Sequence, residues 1–403
     1  MDNIYNELSL IDYTNIENWF PLAEKLFKNI KQKTNAILIS QFDGIGDAIL
    51  ISGVIKELKK YYNMPLIIAC YNSAATIFKL NFNIDKVISL TPDFMNYNYI
   101  IDKIYNELWK ENIFISKAFH LQAFEVNTTA LLFNYFSGAR KRISYLQYSI
   151  NKNELTEAEQ NFINKEAKEK YKEHYDELLI THKYQFPRNI THMIDRHYYI
   201  IEQYLNTTFN HDLYIYPQNT NIIKYINKDK KNIIVNLGGS LKFKKYPPKQ
   251  LNKFLKLIDN ENIIVIGGND SIEDSKYITC KHINLVNKTS LMESIDLINN
   301  CNLYIGNDTG MTHVAAACKK PCIVFYKESI ESFKTFPEKL SSWLQFKPYK
   351  TKNICLRPQK SLSPCNRQKY IYGGCCAMNQ SHCIRQISIQ EIIEAYKQLG
   401  FDI

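Results

Sequence analysis

No stretch of this 403-residue chain holds the ~18 consecutive apolar residues that a membrane-spanning helix requires. The opening MDNIYNELSLIDYTN is acidic and lacks the apolar core of a secretory signal, so the expected compartment is the cytoplasm. There the ten cysteines would be kept reduced. Cys70, Cys280, Cys301, Cys318 and Cys322 lie in or beside core-like segments and read as buried free thiols. No DNA- or RNA-binding motif is present. The net charge of +10 favours anionic partners such as phosphorylated substrates or an anionic lipid surface. Its lysines are spread along the chain, so nucleic acid is not an expected partner.

What is present is globular. Hydrophobic residues make up 45% and charged residues 22%, the balance of a chain that buries a core. A length of 403 is too great for one ordinary core, so two domains are expected. Residues 1–34 read as a helical extension, amphipathic around Trp19, Phe20, Leu22, Leu26 and Phe27. Residues 35–215 read as a first α/β domain. Strands are expected at 36–40, 65–70, 86–90, 117–121 and about 142–145, with helical segments between them. The first helix is expected over 48–62, directly after Asp47. Within this domain, 151–187 is charged and helical in character, a solvated helix. His192 to Leu205 reads as another helix, and 206–230 as a linker.

The same grammar restarts in residues 216–345. Strands are expected at 232–237, 262–268, 303–305 and 322–326, and a helix opened by Pro247 and Pro248 carries Leu251, Phe254, Leu255 and Ile258 on one face. Ser290 with Glu293, and Ser388 with Glu391, are capping boxes. Residues 346–403 read as a cysteine-bearing tail and a last helix ending at Gly400. The fold class is therefore α/β, two Rossmann-like doubly wound domains. Their carboxyl strand edges are expected to face each other across a cleft.

Three polar turns fall at expected strand ends. The first holds Asp43, Gly44, Gly46 and Asp47, and a helix start favours the ionised form of Asp47. The second is Gly238-Gly239-Ser240, followed by Lys242, Lys244 and Lys245, a pattern able to hold a diphosphate. The third is Asp308-Thr309-Gly310 with His313 one helical turn on, followed by small residues Ala315 to Ala317. Each has a plain alternative: a helix-cap carboxylate for Asp47, a flexible basic loop for the second turn, and an ordinary βαβ turn capped by Asp308 for the third.

Residues 244–247 (Lys-Lys-Tyr-Pro), 287–291 (Asn-Lys-Thr-Ser-Leu) and 308–313 (Asp-Thr-Gly-Met-Thr-His), with the Ala315–Ala317 helix, come in this order. Ile45-Gly46-Asp47 and His192-x-x-Asp195-Arg196 precede them. This set resembles glycosyltransferase family 9, the bacterial lipopolysaccharide heptosyltransferases of GT-B fold, over roughly residues 36–399. The chain departs from the family pattern at Gln41 (Arg or Lys), Tyr246 (Trp) and Asn287 (Gly). These changes bear on donor and acceptor identity rather than on reaction type.

The resemblance implies inverting transfer of a sugar, a heptose from ADP-heptose, to a lipopolysaccharide-type or other glycan acceptor. A protein acceptor, and a non-catalytic sugar-nucleotide-binding scaffold, are the alternatives. By position, Asp47 is the general base, with Asp43 and Gly46 on the acceptor side. Lys244 meets the leaving diphosphate. Gly239, Ser240 and the N–H groups of Thr309 and Gly310 bind phosphate oxygens, and His313 supports them. Asp308 orients the turn or contacts the donor sugar, and Glu273 and Asp270 are candidates for the ribose hydroxyls. Oriented donors and positive charge suit the departing diphosphate without a metal, so no cofactor is expected for catalysis. A lipid-linked acceptor would bring peripheral contact with the inner membrane. Cysteine clusters occur in some family members where this chain has Cys355, Cys365, Cys375, Cys376 and Cys383. A structural zinc or iron on Cys355, Cys365, Cys376 and Cys383, and unligated thiols, are both open readings, since the tail has no tight C-x-x-C pair.

Overall fold

The computed structural model describes residues 1–92, 96–121, 127–150, 178–187, 189–331, 341–362, 380 and 382–403. The chain divides into two units, Met1–Ile190 with Ile194–His211, and Thr191–Met193 with Asp212–Ile403. Among the described residues no helix is long and apolar enough to cross a membrane.

Among the described residues the first unit holds six strands: β1 Ala36–Gln41, β2 Leu66–Tyr71, β3 Lys86–Leu90, β4 Ile115–His120, β5 Lys141–Ile150 and β6 His182–Phe186. All pair in parallel in the order β3-β2-β1-β4-β5-β6. The second unit has β7 Asn232–Asn236, β8 Asn262–Ile266, β9 Ile283–Asn284, β10 Leu303–Asn307, β11 Cys322–Phe325 and β12 Asn353–Leu356. Their order, β12-β11-β10-β7-β8-β9, is the same one in a second copy, again all parallel. Both units are thus doubly wound α/β sheets, and each reverses strand order once, between β1 and β4 and between β7 and β10. Helices cover both faces of such sheets, so central strands read as unbroken apolar runs rather than alternating ones. Every residue of β1, β7 and β10 is buried.

Local signals explain the helices. Both capping boxes form, Ser290 with Glu293 and Ser388 with Glu391. The Ile389–Gln398 helix packs on Pro248–Leu255, with the Tyr396 and Phe254 rings 5.5 Å apart. Asn287, where the family pattern has glycine, has φ 56, and Asn tolerates this left-handed region better than most residues.

Four expectations need correction. The first helix begins at Ile45, not Ala48, because Gly44 takes an extended conformation and serves as its N-cap. Asp47 therefore lies inside the first turn rather than before it. That helix also breaks at Ile51, and Ser52–Tyr62 is a separate one. In the N-terminal extension, Trp19 and Ala23 are buried while Leu22 is exposed, so the Ile16–Phe27 helix turns a different stripe inward. Within the charged 151–187 segment, residues 151–177 lie outside the described set, but 182–186 form β6, a sheet-edge strand. An edge strand exposes half its side chains, which is why HKYQF carries so little apolar signal.

In the first unit, His211 sits between the Asp195 carboxylate (2.8 Å) and the Glu202 carboxylate (3.0 Å), stacked on Tyr198. Burial pushes the imidazole pKa down, but the two carboxylates outweigh it and the net shift is upward. A raised folded-state value stabilises the protonated form. The contribution is fully present below the unfolded value of about 6.5 and is lost as pH rises through the folded one. Thermal stability should therefore fall from mildly acidic toward alkaline pH, and His211→Gln should flatten that slope. Equal slopes in the two proteins would show that the bridge contributes nothing.

Candidate donor-binding site

In doubly wound sheets ligands bind outside the carboxyl ends of the strands, where strand order reverses. In the second unit that position lies beyond β7 and β10. It brings the 238–245 loop beside the 308–313 turn. Lys244 Nζ donates to Asp308 Oδ2 at 3.0 Å. Asp308 does not cap the following helix. Thr309 is the N-cap of Gly310–Ala317, in extended conformation and with no side-chain cap bond. The N–H groups of Gly310 and Met311 find no acceptor among the described residues, leaving a first helical turn of open donors. Helix N-termini of this kind favour anions.

The loop is tied from below. Gly239 N–H donates to Asp270 Oδ2 at 3.0 Å. Lys245 is buried and clamps the Asp270 carboxylate (3.0 Å), the Asp270 carbonyl (2.8 Å) and Asp274 (2.7 Å). A Cβ on Gly239 would meet Lys245 Cγ at 3.0 Å, so any larger residue there would press on the lysine stem. Adjacent lysines thus have different tasks: Lys245 is structural, while Lys244 reaches the edge. Asp270 is engaged in holding the loop. Glu273 is exposed and pairs with Lys276, and Ser240 is exposed at the loop tip.

His313 is buried, and its Nδ1 has no partner among the described residues. Burial pushes its pKa down to about 4, with Asp308 opposing and His192 and Lys244 adding to the depression. It is therefore a neutral imidazole at physiological pH and supports the site as a hydrogen-bonding group, not as a cation.

Sequence reasoning missed the residues beneath the turns. The four strands at the two reversal points each end in a buried polar side chain: Gln41, His120, Asn236 and Asn307. Asn307 Oδ1 accepts from Tyr246 N–H (2.9 Å), and its amide donates to the Gly238 carbonyl (3.1 Å). Asn236 Oδ1 accepts from Gly238 N–H (3.0 Å), and its amide reaches Tyr304 OH (3.1 Å) and Thr309 Oγ1 (3.2 Å). These two asparagines join the loop to the turn. An amide closing an otherwise apolar buried strand, as in NIIVN and LYIGN, is the signal that marks them.

Gly306 completes the arrangement. A Cβ there would lie 2.5 Å from Tyr304 OH, and Tyr304 is fully buried with no room to yield. Gly306→Ala should cost about 1–3 kcal/mol, the range for overpacking. It should also displace the Tyr304 hydroxyl from Asn236. Calorimetric unfolding checks the cost, and an unchanged melting temperature would rule out the steric argument.

At the first unit's reversal point, beyond β1 and β4, stand Asp43, Gly46 and Asp47. A Cβ on Gly44 would lie 3.7 Å from Asp47 Oδ2, so the carboxylate is at its own helix start. Buried His120 accepts Asn127 N–H at Nε2 (3.3 Å) and faces the Ser40 carbonyl through Nδ1 (3.4 Å). Burial pushes its pKa down to about 4. Gln41 Nε2 is buried without a partner among the described residues. His192, Asp195 and Arg196 take structural parts. His192 Nε2 bonds the Lys347 carbonyl (2.9 Å), Asp195 holds His211, and Arg196 lies over Phe186.

The family model for "Glycosyltransferase family 9 (heptosyltransferase)" matches residues 162–375, more than half of the chain. The chain belongs to glycosyltransferase family 9. A lipopolysaccharide heptosyltransferase 1 from Campylobacter coli is 32% identical over 112 residues, which is 25% of this chain and 33% of that relative. The match thus spans about a third of the relative's length. The fold is shared with solved structures. A family 9 glycosyl transferase from Veillonella parvula has a TM-score of 0.67 at 17% identity, covering 92% of this chain and 98% of its own. The E. coli heptosyltransferase WaaC with ADP-2-deoxy-2-fluoro heptose has 0.59 at 12%, covering 90% and 99%.

Of the tail cysteines, Cys365 and Cys376 lie outside the described residues, as does Cys375. Cys355 is on β12, its Sγ 3.4 Å from Asn353 Oδ1, and burial pushes its thiol up to about 12. Cys383 Sγ accepts Leu362 N–H at 3.3 Å. Among the described residues no group of three or more His, Cys, Asp or Glu could hold a metal.

Proposed function

We propose that this protein is an inverting glycosyltransferase that moves a heptose from ADP-heptose to a lipopolysaccharide-type or other glycan acceptor. The observation that carries the reading is the Lys244–Asp308 pair beside the open N–H groups of the Gly310–Ala317 helix. A cation and aimed backbone donors at a strand-reversal point suit a nucleoside diphosphate. The choice of donor and acceptor is supported by the names of the relatives: a lipopolysaccharide heptosyltransferase, and a heptosyltransferase crystallised with an ADP-heptose analogue.

In this reading the acceptor hydroxyl oxygen attacks the anomeric carbon from the side opposite the diphosphate. The new C–O bond forms as the bond to the diphosphate oxygen breaks, which inverts the centre. The hydroxyl proton passes to Asp47. The bonding pair leaves on the diphosphate, whose charge is met by Lys244 and by the N–H groups of Thr309, Gly310 and Met311. Preorganised donors aimed at developing charge are usually the largest catalytic term.

The test is incubation of purified protein with a panel of nucleotide sugars and glycan acceptors, read by mass spectrometry. Release of ADP with a heptose added to the acceptor is expected. Absence of diphosphate release across the panel would favour a binding scaffold instead.

A further inference from the structure

We propose that the first unit carries a second anion site, a groove at the amino-terminal edge of its sheet that takes a compact ligand bearing two or more phosphate groups. The groove lies where residues 27–34 lead into β1, 114–117 open β4 and 137–141 lead into β5. It is therefore at the end of the sheet opposite Gln41, His120 and Asp47. Its volume is about 690 Å³, within the ~300–1,000 Å³ typical of small-ligand sites.

Its lining includes Lys28, Lys31, Lys33, Lys117, Arg140 and Lys141, and no aspartate or glutamate. All but Lys117 are exposed, and among the described residues none of the six forms an ion pair. That is a local property. Elsewhere in the same unit Lys59 pairs with Asp85 (2.6 Å), and Lys86 with Glu107 (3.3 Å) and Glu111 (2.5 Å).

The repulsion has a structural cause. Lys117 and Lys141 are register partners on the adjacent strands β4 and β5, and like charges placed opposite each other destabilise a sheet. The Lys117 ammonium lies over the Tyr62 ring, 4.7 Å from its centroid. Burial, and then Lys141, push its pKa down. A bound polyanion would relieve this strain, whereas one phosphate would leave most of the cations unmatched. Trp109 and Phe114, both buried, line the groove as well. A concave cleft of this kind suits a soluble ligand better than a flat bilayer surface.

The test is calorimetric titration of the full chain with inorganic tripolyphosphate at two ionic strengths, on wild type, on Lys244→Ala, and on Lys244→Ala combined with Lys31→Gln/Lys33→Gln/Arg140→Gln/Lys141→Gln, so that the proposed donor site does not mask the loss. Saturable binding that weakens with salt is expected in the first two. The combined variant should bind about tenfold more weakly than Lys244→Ala or worse, since charge-assisted contacts are lost. Its circular dichroism should be unchanged because the four side chains are exposed. Should it fold poorly, Lys28→Gln/Lys141→Gln with Lys244→Ala replaces it. The proposal is overturned if the charge-removed protein binds like Lys244→Ala alone, or if binding disappears in Lys244→Ala. It is equally overturned if the chain ignores tripolyphosphate and binds only phosphatidylglycerol-containing vesicles.

Discussion

Asp47→Asn protein is expected to fold normally, to bind nucleotide normally and to transfer sugar ~10²–10⁴ times more slowly, the usual contribution of a positioned general base. Asn keeps the volume of the side chain at the third position of the Ile45–Leu50 helix, and the N-cap, Gly44, is untouched. Asn cannot accept the hydroxyl proton. The 238–245 loop and the 308–313 turn, proposed to hold the donor, belong to the other unit, which leaves donor affinity a clean control. Steady-state transfer over a range of pH separates the roles. The wild type should lose rate on acidification as the carboxylate protonates, and the variant should show no such limb. Wild-type turnover in Asp47→Asn would reduce Asp47 to a helix-start carboxylate and remove the proposed mechanism.

Lys244→Ala should lower turnover by ~10²–10³, the scale for removing one electrostatic partner of the transition state. It also takes away the cation 3.0 Å from the Asp308 carboxylate, whose side chain is only 9% exposed. Some stability should go with it, because removing one member of a largely buried pair leaves the other poorly compensated. The double variant Lys244→Ala/Asp308→Asn divides the two effects. Neutralising Asp308 should restore the melting temperature and leave the rate low. Recovery of rate along with stability would mean that Lys244 only supports the turn.

Much of this could be read locally. The β1, β2, β7, β8 and β10 runs, the capping boxes at Ser290 and Ser388, and the polar turns after β1, β7 and β10 are contiguous patterns. Burial on two faces, helix capping and turn chemistry all leave marks within a few residues. Other elements leave none. Asn353–Leu356 is a four-residue, half-buried strand that exists because β11 offers it a parallel edge. His182–Phe186 depends on β5 in the same way.

The sequence by itself determined two parallel α/β sheets, where their turns fall, and which residues are chemically able to hold a diphosphate or take a proton. The tertiary structure alone decided which turns meet. Lys244 and Asp308 are 64 residues apart, and they touch because β7 and β10 are neighbours at the reversal of strand order. It also separated Lys244 from Lys245, turning one to the edge and burying the other against Asp270 and Asp274. It placed Gln41, His120, Asn236 and Asn307 under the turns and made His313 neutral by burial. Strand adjacency and desolvation arise from contacts between segments distant in the chain, so no local pattern encodes them.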